Sequence, residues 1–259
     1  MPAYDDSRAA TYDATRSASP SMLGALLRAL GPANGRSLLD IGGGTGNYSV
    51  ALRKAGFRVT LAELSEAMLR RAAAKLGAAA VVQGDALRLP FRDASFDCAT
   101  SINVSHHLDW RAHVAEAKRV VGAGAFAMQV NTRENLAAHW IFEYFPEAKG
   151  PTLALHPPAD DGAGAMRTAG FRDVAWEGFV FEDRADATFE ALKHWPETYL
   201  DDGYRRNTTF FTRMPADLER AGVERLRADH ASGGLTEVIA RYEPLVREAG
   251  DSTVFVGRG

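Results

Sequence analysis

The residues best suited to chemistry lie in a glycine-rich segment, residues 38–48 (LLDIGGGTGNY). Gly42 and Gly44 lack Cβ atoms, so this turn can adopt unusual φ angles and let a ligand lie directly on the backbone. Asp40, at the end of the predicted strand, can hold a cationic group such as that of an amino acid. Glu63 comes twenty-one residues after Gly42, where a carboxylate can accept hydrogen bonds from both hydroxyls of a ribose. The pattern predicts a site for a ligand with an adenosine part.

A dinucleotide site has the same order of strand, glycine turn and later acid, but the spacing of the glycines argues against it. Gly42, Gly44 and Gly46 satisfy GxGxG, whereas GxGxxG needs a glycine where the chain has Asn47. A Walker phosphate loop is excluded because no lysine follows the glycines. A glycine turn that merely joins a strand to a helix remains the alternative without a ligand.

Apolar periodicity predicts alternating strands and helices around this turn. Strands are predicted over residues 38–41, 58–64, 79–86, 96–104, 125–130, the end of 165–183, and 252–259. Helices are predicted over residues 20–30, 48–55, 65–77, 110–121, 135–148 and the start of 165–183, with a break at 156–162. Such alternation implies right-handed crossovers and a parallel sheet.

Four units follow from this pattern. Residues 1–36 form an N-terminal helical arm, and residues 37–183 form the α/β core. Residues 184–250 are rich in aromatic side chains and are predicted to form a helical cap. Residues 251–259 alternate like a strand and return the chain to the sheet.

Composition limits the classes of function. The 259 residues are 46% hydrophobic and 24% charged, which is typical of a globular protein. A formal net charge of −3 and the lack of a Lys/Arg run argue against a nucleic acid partner. Cys98 is the single cysteine, which excludes an internal disulfide and fits a reducing cytoplasm. We expect no signal peptide and no membrane association. The oligomeric state is left open, with a homodimer as one option.

Four successive segments resemble the cofactor motifs of class I S-adenosylmethionine-dependent methyltransferases of the small-molecule branch. These segments are DIGGGTGNY, LAELSEAML, QGDALRLPF and SFDCATSINVSHHL; they occur in the order typical of that family, and the similarity covers roughly residues 36–130. The resemblance implies S-adenosylmethionine (SAM) as the cofactor. It also implies a doubly wound α/β fold with a mostly parallel seven-stranded sheet, an antiparallel last strand and a helical cap inserted before that strand.

The resemblance assigns the first motifs to the methionine and ribose parts of SAM. It implies that Asp40, Gly42 and Gly44 surround the methionine part. Glu63 and Leu64 would contact the ribose and the adenine. Members of the family more often carry Asp than Glu at the position of Glu63, and the two acids are chemically equivalent there.

The later motifs supply residues for the adenine and for the region of the sulfonium. The resemblance implies that Asp85 and Ala86 meet the adenine, with Asp85 accepting a hydrogen bond from its exocyclic amine. Ser101 and Asn103 would line the pocket near the sulfonium. The N-terminal sequence ATYDAT is similar to a Tyr-Asp pair that folds over the cofactor in the same branch, so Tyr12 is expected to close the methionine pocket.

Methyl transfer from a sulfonium is an in-line displacement, so alignment matters more than acid-base chemistry. His106 and His107 follow the fourth predicted strand, at the edge of the sheet where doubly wound folds bind ligands. Either residue can serve as a general base, with His107 favoured, or can simply pack against the next helix. Neighbouring side chains diverge and no set of acidic ligands accompanies them, so we predict no metal.

The acceptor is expected to bind where the cap faces the core. Concave aromatic pockets with a few charges hold small ligands, although most aromatics of a helical cap must form its own core. The candidates are Trp140, Tyr144, Tyr199, Arg205 and Phe210. Arg205 or its neighbour Arg206 would read a carboxylate or phosphate, unless both are solvated.

The predicted function is transfer of a methyl group from SAM to an O, N or C atom of a small organic molecule, such as a secondary metabolite. Non-methyl chemistry with SAM as a scaffold, for example cyclisation, is one alternative. A non-catalytic SAM-binding partner subunit and a nicotinamide-dependent oxidoreductase are two others. Release of S-adenosylhomocysteine (SAH) would distinguish methyl transfer from all three.

Overall fold

The computed structural model describes residues 12–13, 16–104, 108–206 and 208–259. Its strands are β1 (Ser37–Ile41), β2 (Arg58–Glu63), β3 (Val81–Gln83), β4 (Cys98–Ile102), β5 (Ala125–Val130), β6 (Asp173–Phe179) and β7 (Ser252–Arg258). They form one sheet in the order β3-β2-β1-β4-β5-β7-β6. The first five strands pair in parallel, and β7 runs antiparallel to both β5 and β6. The predicted seven-stranded sheet with an antiparallel last strand is confirmed.

Helices lie on both faces of the sheet and in the cap. They are α1 (Pro20–Leu30), α2 (Asn47–Lys54), α3 (Glu66–Leu76), α4 (Trp110–Val121), α5 (Arg133–Ala137), α6 (Pro146–Ala154), α7 (Ala159–Thr168), α8 (Asp202–Arg206), α9 (Thr209–Thr212), α10 (Ala216–Ser232) and α11 (Gly234–Ala249). Short 3-10 turns cover Ala78–Ala80, Trp140–Glu143, Ala191–His194 and Pro196–Leu200. Over the part of the chain that the structure describes, no helix has the length and apolar character to span a bilayer.

The central strands bury side chains on both of their faces, as parallel strands between two helix layers must. Leu38 of β1 packs in the same apolar cluster as α1 and α2, whereas the next residue, Leu39, packs with α4 and α7. The predicted apolar face of α1, formed by Met22, Leu26 and Leu30, is buried against the first of these clusters. Packing from both sides holds β1 and β4 in place, so the residues at their carboxyl ends have defined positions.

The cap has its own apolar core. We call this group the cap cluster, and it includes Trp140, Phe145, Tyr199, Phe211 and Leu226. The rings of Trp140 and Tyr199 meet edge to face, with their centroids 5.6 Å apart. Because the cap cluster includes residues 140–145, helical segments from two stretches of chain pack together above the sheet. The domain limits given above remain a prediction.

The prediction of one continuous helix over residues 135–148 is wrong, because the structure has α5, a 3-10 turn and the start of α6 there. Thr132 caps α5 with its side chain, so that helix starts before the predicted one. His139 then accepts the amide proton of Ile141 through Nδ1 at 3.1 Å, which opens a 3-10 turn. Pro146 begins the next helix, α6. Local side-chain caps therefore divide a stretch whose apolar pattern looks continuous.

Two glycines of α7 differ in their surroundings. This helix begins inside the predicted break at 156–162, so Gly162 and Gly164 are helical. A Cβ atom on Gly162 would lie 2.6 Å from the ring of Phe255, which is fully buried. A Cβ atom on Gly164 would meet nothing within 4 Å. Packing of α7 against β7 therefore requires glycine at position 162 but not at position 164.

Gly162→Ala is expected to lower the free energy of unfolding by about 1–3 kcal/mol, because the added methyl group overpacks against Phe255. Gly164→Ala is the matched control and is expected to raise it by about 0.5–1 kcal/mol, because alanine favours the helix. Urea unfolding followed by circular dichroism measures both changes. Equal stabilities of the two variants would contradict this packing of α7 on the sheet.

Candidate functional site

A cavity opens at the carboxyl ends of β1 and β4, where the strand order reverses and doubly wound folds bind ligands. Five residues that the sequence predicted for the cofactor line this cavity: Tyr12, Asp40, Gly42, Gly44 and Asn103. Glu63, which bonds to Gly44, and the predicted adenine residues Leu64, Asp85 and Ala86 lie beyond this lining. The remaining wall comes from the glycine turn, the N-terminal arm and the start of the cap.

The glycine turn needs glycine at two of its predicted positions. Gly42 and Gly44 have φ angles of +71° and +55°, a region that residues with a Cβ atom rarely adopt. A Cβ atom on Gly42 would also lie 2.5 Å from the side chain of Val104. Beside Gly44 nothing lies within 4 Å of the Cβ position, so its backbone faces open space in the cavity. The turn leaves room for a ligand at the backbone.

Asp40 is a buried acid without a cationic partner among the described residues. Its side chain is 1% exposed, and the Ser49 hydroxyl donates to its Oδ2 at 2.5 Å. Burial raises the pKa of Asp40 to about 6, and the nearby charge of Glu63 adds to this rise. The hydrogen bond from Ser49 works in the opposite direction. The site is therefore prepared for a ligand that brings a positive charge.

Glu63 links the end of β2 to the glycine turn. Its Oε2 accepts the amide proton of Gly44 at 3.0 Å, and its Oε1 accepts that of Ser65 at 2.8 Å. Each carboxylate oxygen has a second lone pair that can accept another hydrogen bond. The carboxylate is thus held in one orientation with free acceptor capacity.

The residues predicted for the adenine lie after β2 and β3, next to Glu63. Gln83 of β3 donates to the backbone oxygen of Leu64 at 3.2 Å, which ties the two strand ends together. Leu64 is 52% exposed, whereas most of the large apolar side chains that the structure describes are buried or half-buried. Asp85 is exposed, and its Oδ1 accepts the amide proton of Leu87 at 2.9 Å. Ala86 is half-buried. An apolar surface and an acid therefore lie side by side.

Ser101 does not line the cavity, which corrects the expectation that it would. It is 1% exposed inside β4, and its hydroxyl bonds to Nε2 of His113 on α4 at 3.0 Å. Asn103 comes after the strand has ended and has a φ angle of +58°. This left-handed conformation changes the direction of the chain, so that Asn103 reaches the cavity and Ser101 faces the helix layer.

Asp13 in the N-terminal arm is bound to the glycine turn and to α3. Its carboxylate accepts hydrogen bonds from the Thr45 hydroxyl at 2.5 Å and the Asn47 amide at 3.0 Å. Lys75 forms an ion pair with it at 2.8 Å. Burial alone would raise the pKa of Asp13, but these partners outweigh it and lower the pKa. The arm is therefore fixed across one side of the cavity.

Arg16 connects the arm to the cap. It pairs with Asp186 at 3.0 Å, and the Tyr48 hydroxyl donates to the other carboxylate oxygen at 3.0 Å. Sequence analysis missed Asp13, Arg16 and Asp186. The Tyr-Asp pair that singled out Tyr12 also contains Asp13 and could have indicated it. No local pattern links Arg16 to Asp186, because 170 residues separate them.

The five residues predicted for the acceptor belong to the cap cluster or its border, and none of them lines the cavity. They are Trp140, Tyr144, Tyr199, Arg205 and Phe210, and they pack in or around the cap cluster. Arg205 is buried and pairs with Asp202 and, at 3.0 Å, with Glu219. Its charge is compensated within the cap. A contact of these side chains with an acceptor stays a prediction.

The predicted general bases, His106 and His107, lie outside the described residues. The helix that follows them begins as expected, since Asp109 caps α4 by accepting the amide protons of Arg111 and Ala112 at 3.1 and 3.2 Å. Within the described ranges, no three potential metal ligands lie close enough together to hold an ion.

A second polar group lies where the cap meets the core. The Tyr204 hydroxyl is buried and lacks a hydrogen-bond partner among the residues described, since the neighbouring Thr208 donates to the Tyr204 backbone oxygen at 2.9 Å. Burial raises the pKa of Tyr204 to about 12; the nearby Thr208 side chain and the charge of Arg16 oppose this rise, and the charge of Glu190 adds to it. Burial also raises the pKa of Glu190, and a hydrogen bond from Asn131 opposes this. Sequence analysis did not predict this group.

The amino-acid sequence of the chain is similar to those of known methyltransferases. Residues 39–128 match a family model described as a methyltransferase domain. A ubiquinone/menaquinone biosynthesis C-methyltransferase UbiE from Paracoccus denitrificans is 39% identical over 181 residues, which are 59% of this chain and 72% of the relative. A demethylmenaquinone methyltransferase from Thermobifida fusca is 29% identical over 174 residues, which are 57% of this chain and 74% of the relative.

One solved structure matches nearly the whole fold. It is a protein from Anabaena variabilis described as a methyltransferase from an antibiotic biosynthesis pathway. The TM-score is 0.77 at 25% identity, and the match covers 95% of this chain and 99% of that chain. The similarity therefore extends to the cap as well as to the α/β core.

Asp40→Asn is expected to stabilise the free protein at pH 7.5 and to change its stability little at pH 4. Folding raises the pKa of Asp40 from 3.8 to about 6, so the protonated acid favours the folded state. That contribution is complete below the unfolded pKa and is lost as the pH rises through the folded pKa. At about 1.4 kcal/mol per pKa unit, the difference at pH 7.5 is up to about 3 kcal/mol.

Thermal unfolding of the wild type and the variant between pH 4 and pH 8 measures this effect. If the stability of Asp40→Asn falls with pH as steeply as that of the wild type, the loss does not come from Asp40.

Proposed function

The chain belongs to the class I S-adenosylmethionine-dependent methyltransferases, and we propose that it transfers a methyl group from SAM to an O, N or C atom of a small organic molecule. The observation that carries this proposal is the buried Asp40 carboxylate, which lines the cavity beside the glycine turn. No described basic side chain compensates it. A cationic cofactor supplies the missing positive charge.

The residues around the cavity fit SAM in three further respects. The open space beside Gly44 admits a ligand to the backbone. Glu63 keeps acceptor capacity for ribose hydroxyls, while two amides hold its carboxylate in place. Leu64, half exposed, offers an apolar surface that a flat ring would cover. Together they suit the amino acid, ribose and adenine parts of one molecule.

SAM, when bound, supplies a methyl group on a sulfonium, whose departure needs no proton. The chain's own task is then to hold, align and shield the reactants. Asp40 accepts from the cationic end of the cofactor, Glu63 accepts from the ribose, and Asp85 accepts from the adenine. The hydrogen bonds of Asp13 and the ion pair of Arg16 keep the arm over the cavity and exclude water from it.

The acceptor is proposed to bind between the cavity and the cap. Two observations support this position: the Tyr204 hydroxyl is buried without a described partner, and the Glu190 carboxyl lies close to it. Buried polar groups of this kind favour an acceptor with a hydroxyl or amino group, because it would satisfy them. Glu190 can accept the acceptor's proton, and His107 or His106 remains the other candidate base.

The relatives favour two kinds of acceptor. The two quinone methyltransferases match only 57–59% of this chain. The Anabaena variabilis protein matches 95% of it, including the cap. Acceptor choice in this fold depends on the elements added to the core. We therefore favour a specialised small molecule over a quinone head group.

Turnover with SAM labelled with ¹³C in its methyl group tests the proposal. Candidate acceptors are catechol, simple phenols, primary aromatic amines and a short-chain demethylmenaquinol. We expect one SAH released for each labelled methyl group found in the product. Tyr204→Phe is expected to lower kcat/KM for the acceptor about tenfold, the effect of one lost hydrogen bond, with SAM affinity unchanged.

Tyr242→Phe removes the same hydroxyl elsewhere in the cap, where it donates to Glu143 at 2.8 Å, and serves as the matched control that should retain most activity. SAM consumption without label in any product would contradict methyl transfer and favour the scaffold chemistry. Unchanged acceptor kinetics in Tyr204→Phe would contradict the acceptor position proposed above.

A further inference from the structure

Helix α4 presents a row of three polar side chains to the loop after β3. His113, Glu116 and Arg119 are each three residues apart, so they lie on one side of the helix. All three bind backbone atoms of residues 86–91. The helix therefore holds the chain of this loop rather than its side chains, and the loop contains Asp85 and Ala86, the residues assigned to the adenine.

The far part of the loop is held by two charged residues. Glu116 accepts the amide proton of Leu89 at 2.7 Å. Arg119 donates to the backbone oxygens of Leu89 at 3.2 Å and Phe91 at 2.8 Å. Glu116 and Arg119 also pair with each other at 2.7 Å. This part of the loop is fixed independently of His113.

The part next to Asp85 is held by His113. Its Nδ1 lies 3.3 Å from the backbone oxygen of Ala86, and its Nε2 lies 3.0 Å from the Ser101 hydroxyl. A carbonyl oxygen can only accept, so Nδ1 carries the proton and Ser101 donates to Nε2. His113 is fully buried, and burial lowers its pKa, which keeps the ring in this neutral form.

Asp85 has little else to fix its direction. Its side chain is exposed, and one carboxylate oxygen accepts the amide proton of Leu87, which closes a tight turn. Because this hydrogen bond lies within the turn, it does not fix the orientation of the turn relative to the rest of the protein. Two bonds hold the backbone on either side of Asp85: the Gly84 amide donates to the backbone oxygen of Glu63 at 3.1 Å, and His113 donates to that of Ala86.

We propose that His113 is a positioning residue that sets the selectivity of this protein for adenine over 6-oxopurines. Its bond to the Ala86 backbone orients Asp85 so that the carboxylate accepts from a 6-amino group and repels a 6-oxo group. Ser101, in turn, holds the ring in the required tautomer. The inference rests on the proposed contact of Asp85 with the adenine.

Binding of SAH and of S-inosyl-L-homocysteine, its 6-oxo analogue, tests the inference by calorimetry. His113→Asn keeps an amide donor near the position of Nδ1, whereas His113→Gln moves the donor to the position of Nε2 and loses the bond to Ala86. Val114→Ala, at the next residue of α4 and equally buried, weakens packing but leaves the hydrogen bond from His113 to Ala86 in place. Melting temperatures show how far each variant is destabilised.

The wild type is expected to prefer SAH by roughly 30-fold, because the 6-oxo group cannot donate to Asp85 and one hydrogen bond to a charged group is lost. His113→Asn should keep this ratio within about threefold, as should Val114→Ala despite its lower melting temperature. His113→Gln should reduce the ratio at least tenfold. A folded His113→Gln protein with the ratio of the wild type would overturn the role of His113.

The wild type alone gives a second test, which does not depend on the folding of a variant. NMR of ¹⁵N-labelled histidine should report the Nδ1-protonated tautomer of His113 and a larger shift with SAH than with the inosine analogue. The other tautomer, or equal shifts, would overturn the inference. Equal affinity of the wild type for both ligands would overturn the Asp85 contact and the inference with it. Failure of the folded wild type to bind SAH would instead overturn the proposed function.

Discussion

The buried charge of Asp40 is the constraint around which the site is built. A carboxylate that is 1% exposed and lacks a described cationic partner is costly in the free protein, and burial moves its pKa to about 6. The apolar clusters on both faces of β1 hold the strand, and with it Asp40, in one position. The cost is tolerable only if a cation arrives there during function.

The surrounding structure follows from the need to admit and then enclose such a ligand. The strand order reverses between β1 and β4, which opens a crevice at their carboxyl ends. The glycine turn brings backbone rather than side chains to that crevice, and Glu63 braces the turn. Asp13 and Arg16 then tie the arm across it, one to the core and the other to the cap. One cavity thereby contacts three parts of the chain.

Much of this was predictable because it depends on short-range patterns. The strand-turn-helix alternation predicted the sheet, and the spacing of Asp40, Gly42 and Gly44 predicted the cavity wall. Contacts between distant segments gave no such signal, as the pairing of Arg16 with Asp186 shows. The resemblance also misplaced Ser101, which comes two residues before Asn103 but does not reach the cavity with it, because the strand ends between them. The aromatic residues of the cap were also hard to assign from the sequence, because such side chains are equally suited to an apolar core and to the wall of a pocket.

Calorimetric titration with SAM near pH 6, repeated in buffers of different ionisation enthalpy, tests the central role of Asp40 most directly. If the cofactor's positive charge compensates this carboxylate, binding must displace its proton. The account predicts release of roughly half a proton per site at pH 6, little at pH 8 and none from this group in Asp40→Asn. SAM binding with no proton release at pH 6, or no binding by the folded protein, would contradict it.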